Sequence, residues 1–131
     1  QKNLSEIVTL HSGILQLHAL LPLNSFIYYN IHVSHPAARF SERLGFIEDM
    51  ARSKSAEELH RLIAGSPFGP IHRFIFFNER KDLYPIYFNL DNFPNGIKPY
   101  QVDLPTSLFQ EPYFSKVYDS DIYVVFDVNS I

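Results

Sequence analysis

Six histidines carry most of the chemistry this sequence could offer. His32 and His35 flank Ser34, which places two imidazoles and a hydroxyl within four positions. Joined by a distant carboxylate, His32 and His35 could hold a metal, or one could act as a base with Asp121 or Asp127 behind it. His11 and His18 lie seven residues apart, too far for two ligands on one helix, where i and i+4 spacing is needed. Asp119, Asp121 and Asp127 surround the end of the chain, but the 12-residue helix-loop-helix calcium pattern is absent. Arg73 sits in a Phe-rich run, and a cation there needs a protein carboxylate or an anionic ligand as partner.

Several chemistries are closed off. The chain has no cysteine, so disulfides, thiol catalysis and thiolate metal sites are excluded. The glycines are too dispersed for a phosphate-binding loop, and no Gly-x-Ser-x-Gly elbow is present. Net charge is −3, and the eleven Lys and Arg form no basic stripe, which argues against nucleic acid as a partner. No apolar run approaches the ~20 residues that span a bilayer.

The elements that would position these groups follow from periodicity. Ile7, Leu10, Ile14, Leu17 and Leu21 have the spacing of a coiled-coil seam, which predicts a helix over Ser5–Leu21. That helix would face the core of the domain or, alternatively, mediate self-association through residues 7–21 or contact with the rest of a longer chain. Ser25–Val33 reads as a strand, with Tyr28, Asn30 and His32 on its mixed face. Pro36 opens a helical stretch with Phe40, Leu44, Ile47 and Ala51 on one side. Ser55 and Glu58 form a capping box for a third helix that carries Leu59, Leu62 and Ile63, and Gly65 caps its end.

Ser66–Pro70 is a turn. Ile71–Phe77 and Leu83–Leu90 then read as the arms of one hairpin, with Pro85 pushing the second arm to an edge. Asp91–Ser115 reads as a long packed loop containing a Pro94-Asn95-Gly96 turn and a short helix near Thr106–Gln110. The last strand runs from Ile122 to Val128.

These elements predict one α+β domain over residues 1–131, with a small antiparallel sheet of about four or five strands and helices mainly on one face. A chain of 131 residues can bury a core of its own. Twelve Phe and eight Tyr, with no Trp, would fill it. The first residue is Gln1, and a strand ends close to Ile131, so the ends read as boundaries of a segment cut from a longer protein.

Three resemblances bear on function. His32-x-Ser34 is similar to one of the two His-x-Ser/Thr strands that hold phosphate in two-histidine phosphoesterases, and the second copy is missing because Arg73 and Phe74 follow His72. His35-Pro36-Ala37-Ala38-Arg39-Phe40-Ser41-Glu42-Arg43-Leu44-Gly45-Phe46 resembles a late segment of GNAT acyltransferases and the first helix of glyoxalase-type metal enzymes. The first would imply a Gly-rich acetyl-CoA loop upstream and the second an internal repeat. This chain has neither, and no function is carried over. The order of elements is similar to that of PAS, GAF and Cache sensor domains, with one early strand missing.

That last resemblance implies a sensory or regulatory ligand-binding module of a larger signalling protein. Its small-molecule ligand would sit between the sheet and the 91–115 loop. The candidate ligand-binding residues are Tyr28, Asn30, His32, Arg73 and Tyr87. No cofactor or compartment is indicated. A histidine-based or metal-dependent enzyme and a protein-interaction domain are the alternatives.

Overall fold

A computed structural model of the chain describes residues 7–13, 24–27, 40–91 and 94–130. Among them are seven strands, two α-helices and one 3-10 turn. The strands are β1 (Val8–His11), β2 (Asn24–Ser25), β3 (Arg73–Phe77), β4 (Leu83–Asp91), β5 (Ile97–Pro105), β6 (Phe114–Asp119) and β7 (Tyr123–Val128). The helices are α1 (Phe40–Ala51) and α2 (Ala56–Ala64), and Thr106–Leu108 forms the 3-10 turn.

The α+β class expected from the sequence is the class observed. The main sheet has five strands in the order β2-β1-β3-β7-β6, and β4 and β5 form a separate hairpin. The main sheet is mixed and not wholly antiparallel, because β1 runs parallel to both β2 and β3. β3 is its central strand, flanked by β1 on one side and antiparallel β7 on the other.

Strand alternation sorts the sheet into two faces. Leu10, Phe74, Phe76, Phe114, Val124 and Phe126 lie on the inner face, each at most 2% exposed. The hairpin covers that face along with the helices. Tyr84 of β4 lies flat against Phe76, with ring centroids 4.8 Å apart. Helix α1 packs on β5, burying Phe46, Ile47 and Met50. Helix α2 begins at Ser55, whose hydroxyl accepts from the Glu58 N–H at 3.1 Å, and buries Leu59 and Ile63. Arg43 of α1 lies between the rings of Phe26 and Phe68, 5.2 Å from each centroid, and donates to the Phe26 carbonyl at 2.9 Å.

Three expectations are corrected. Val8–His11 is a strand and not part of a helix. β-Branched Val8 and Thr9 favour the extended chain, and Gly13 has φ of 91°, outside any right-handed helix. The seam on which self-association through residues 7–21 rested is therefore not helical in its first half. Its remainder, residues 14–21, lies outside the described residues.

The hairpin expected from 71–77 and 83–90 does not form. Both segments carry buried alternating faces, and they pack face to face across the core. β3 pairs with β1 and β7, and β4 pairs with β5.

The 91–115 segment is not one long loop. It holds β5, the 3-10 turn and the start of β6. Pro99 and Pro105 are tolerated in β5 because β4 is its one strand partner among the described residues, so its outer side needs no ladder N–H. Gly96, at φ 84°, makes the tight turn at the hairpin tip. Of the strand expected over 25–33, only Ser25 lies in a strand, β2; Phe26 and Ile27 form a bend, and residues 28–33 lie outside the described set.

Ser12 ties the two sheets together. It is fully buried at the end of β1. Its hydroxyl donates to the Pro85 carbonyl at 2.5 Å and accepts from the Phe77 N–H at 3.0 Å. Its carbonyl accepts from the Tyr87 N–H at 3.1 Å. Ser12→Ala strands two buried backbone groups, so it should cost about 1–3 kcal/mol. Urea denaturation of the variant should show a lower midpoint with an unchanged slope.

Candidate functional site

A cleft of about 580 Å³ opens where the end of α2 and the Ser66–Pro70 turn face the start of β3 and the end of β7. It is within the usual size range of small-molecule sites. Each wall is fixed by local chemistry. Helix α2 stops at Gly65, whose N–H returns to the Arg61 carbonyl, and the Ser66 N–H returns to that of Ile63. The Ser66 hydroxyl accepts from the Phe68 N–H at 3.1 Å, and Gly69 takes φ of 92° to complete the turn.

His72 stands at the head of the central strand. Its N–H donates to the Val8 carbonyl at 2.8 Å, and its own carbonyl accepts from Val128 N–H at 2.9 Å. Its ring Nδ1 accepts from the Val8 N–H at 2.9 Å. Nδ1 is therefore unprotonated and the ring proton sits on Nε2.

His60 faces the cleft from α2. Its Nε2 is 2.6 Å from the Asn129 carbonyl oxygen, so Nε2 carries the proton and donates it there. Tyr113 and Phe114 hold the ring, at 5.4 and 6.0 Å between centroids. Asn129 is itself pinned, its amide donating to the Pro112 carbonyl at 2.7 Å and to Ser115 at 2.9 Å. Two imidazoles of known tautomer thus face one cleft. Among the described residues its lining includes no Lys, Arg, Asp or Glu.

Of the residues expected to bind ligand, Arg73 and Tyr87 are among the described residues. Tyr28, Asn30 and His32 lie outside the described residues, as does His35. Arg73 is satisfied within the protein. Its Nε meets Asp127 at 2.7 Å, which is the protein-carboxylate alternative for that cation. Tyr87 donates to Glu79 at 2.6 Å and its ring lies beside Phe77. Arg73 and Phe77 are opposite ends of β3, about 13 Å apart at ~3.3 Å per residue. Arg73 and Tyr87 therefore belong to different regions of the surface.

The histidine–aspartate pairings are not assembled among the described residues either. Asp127 is held by Arg73, and Asp121 is exposed in the turn between β6 and β7. No group of three potential metal ligands forms among the described residues. His11 and Ser25 lie 3.2 Å apart, a spacing that could suggest an activated hydroxyl. The His11 Nδ1 accepts from the Gly13 N–H, however. Its proton then sits on Nε2 and is donated to Ser25, the reverse of what a general base requires.

His60 and Asn129 were not singled out from the sequence. The available signal was a histidine at the margin of a capped helix's apolar stripe, just before a Gly-Ser-Pro turn. Asn129 follows the last strand, and only the fold brings it to α2.

The chain matches no protein-family model and no curated protein sequence. One titration is distinctive. The hydrogen bond to Glu79 pushes the Tyr87 phenol up to about 12, with burial and the Glu79 charge adding to the shift. A raised pKa means that the folded state holds this proton more tightly than the unfolded chain. The stabilisation is present below pH 10 and is lost as pH rises towards about 12. Phenolate absorbance should show one tyrosine fewer titrating late in Glu79→Gln, and Tyr87→Phe should flatten the stability loss above pH 10.

Proposed function

We propose that this domain is a ligand-binding module, and that the cleft beside His60 and His72 takes a small neutral molecule bearing both hydrogen-bond donors and acceptors. The observation that carries this reading is the lining. A charged ligand entering the cleft would shed water against walls that offer no opposite charge. A neutral polar ligand loses less, and the His60 ring and the serine hydroxyls can meet it. Ile63, Ile71 and Val128 supply the apolar part of the surface. The His60 Nε2–H is already committed to Asn129, which leaves its Nδ1 as the acceptor on that ring. A regulatory role within a larger signalling protein is the wider setting we propose, although the element order that suggested it loses its first helix to β1.

The test is an NMR fragment screen using matched neutral, carboxylate and ammonium fragments. Neutral amides and polyols should shift the amides of residues 60–72 and 128–130, with dissociation constants near the ~1 mM typical of fragments. Ala64 is an exposed cleft residue near the end of α2. Ala64→Phe should abolish those shifts while the melting temperature stays within a few degrees. Shifts scattered over the surface, or a preference for charged fragments, would overturn the reading.

A further inference from the structure

Among the described residues β6 is the terminal strand of the main sheet. Large apolar side chains remain exposed along it and in the turn that follows, with Val117 51%, Tyr118 56% and Ile122 62% exposed. β6 pairs with β7 in two registers. Lys116 faces Phe126, Tyr118 faces Val125, and Val117 is the extra residue between them. This bulge changes which side chains share a face. In a regular strand, residues three apart point to opposite faces. Here Lys116 and Asp119 pair with Phe126 and Val124, which both belong to the inner face, so both charges lie on one side of the sheet. Their 3.3 Å salt bridge follows from that.

We propose that β6 is a self-recognition edge that pairs antiparallel with β6 of a second copy, about a twofold axis between Val117 and Tyr118. In that register Lys116 of each copy lies opposite Asp119 of the other, and Val117 lies opposite Tyr118. The bulge residue falls within the same two-residue stretch on both strands, so the strands match in length between the charges. A twofold axis normal to a sheet requires facing residues to share a side, and only the bulge allows these two to do so.

Edge lysines and bulges ordinarily keep strands from pairing at random. Here the lysine has its own counter-charge three residues on, so the edge repels a mismatched strand and fits itself. The intrachain bridge is half exposed, at 49% and 51%, and can be exchanged between copies at little cost. The pairing is independent of the ligand proposed above.

Sedimentation velocity at low salt tests it on wild type, Lys116→Asp, Asp119→Lys, an equimolar mixture of the two variants, and the double swap. Wild type should dimerise below about 1 mM. Each single reversal places like charges opposite each other twice and should weaken the dimer at least about tenfold. The mixture should regain a heterodimer and the double swap a homodimer. Asp119 also accepts from the Asn78 amide at 3.1 Å, so the double swap checks that lost dimerisation in Asp119→Lys is not a local folding defect. A wild type that stays monomeric to about 1 mM overturns the proposal. So do reversals without effect, or a failure of both the mixture and the double swap to restore the dimer.

Discussion

One ring touches the main sheet and the hairpin at once. Phe109 lies 5.1 Å from Phe74, 5.1 Å from Phe76, 5.7 Å from Tyr84, 5.2 Å from Phe114 and 5.1 Å from Phe126, between ring centroids. Those neighbours come from β3, β4, β6 and β7. Such contacts each add to the area that the rings bury. The turn that delivers Phe109 is anchored at its start. Thr106 donates to the Asp82 carbonyl through its N–H and to the Lys81 carbonyl through its hydroxyl, both at 3.0 Å. The chain therefore leaves β5 and drops an aromatic plug between the layers.

The cleft depends on that plug. Its floor is the head of β3 and the tail of β7, and both strands are clamped from the inner face by Phe109. Phe114, which touches Phe109, also braces His60. The two imidazoles are thus oriented by the packed core and not by loops alone. A cleft built this way would lose little conformational freedom on being filled.

Much of the architecture was legible where the signals were local. The Ser55 cap, the apolar stripe of α2, the last strand and the turn at Asn95-Gly96 all have short-range causes. Strand partners were harder to read. β3 and β4 are adjacent in sequence and each alternates cleanly, so the sequence favours a hairpin. Only the packing of Phe76 against Tyr84 shows that the segments face each other across the core. Residues 7–13 misled for a different reason. Ile7, Leu10 and Ile14 fit a helical seam, but Gly13 and the buried hydroxyl of Ser12 belong to a strand end. The site was the least legible part. Arg73 needed a partner, as its setting in a Phe-rich strand implied, and that partner is Asp127. His60 meets Asn129 across 69 positions of sequence, and His72 meets Val8 across 64.

The most direct measurement is native-state hydrogen exchange on Phe109→Ala compared with wild type. Loss of the plug should cost about 3–5 kcal/mol. The amides of β3, β4 and β7 should lose protection together, because one ring couples both sheets. If protection falls only in the Thr106–Leu108 turn and the end of β5, while β3 and β7 keep wild-type rates, the two sheets do not depend on Phe109 and this account of the core is wrong.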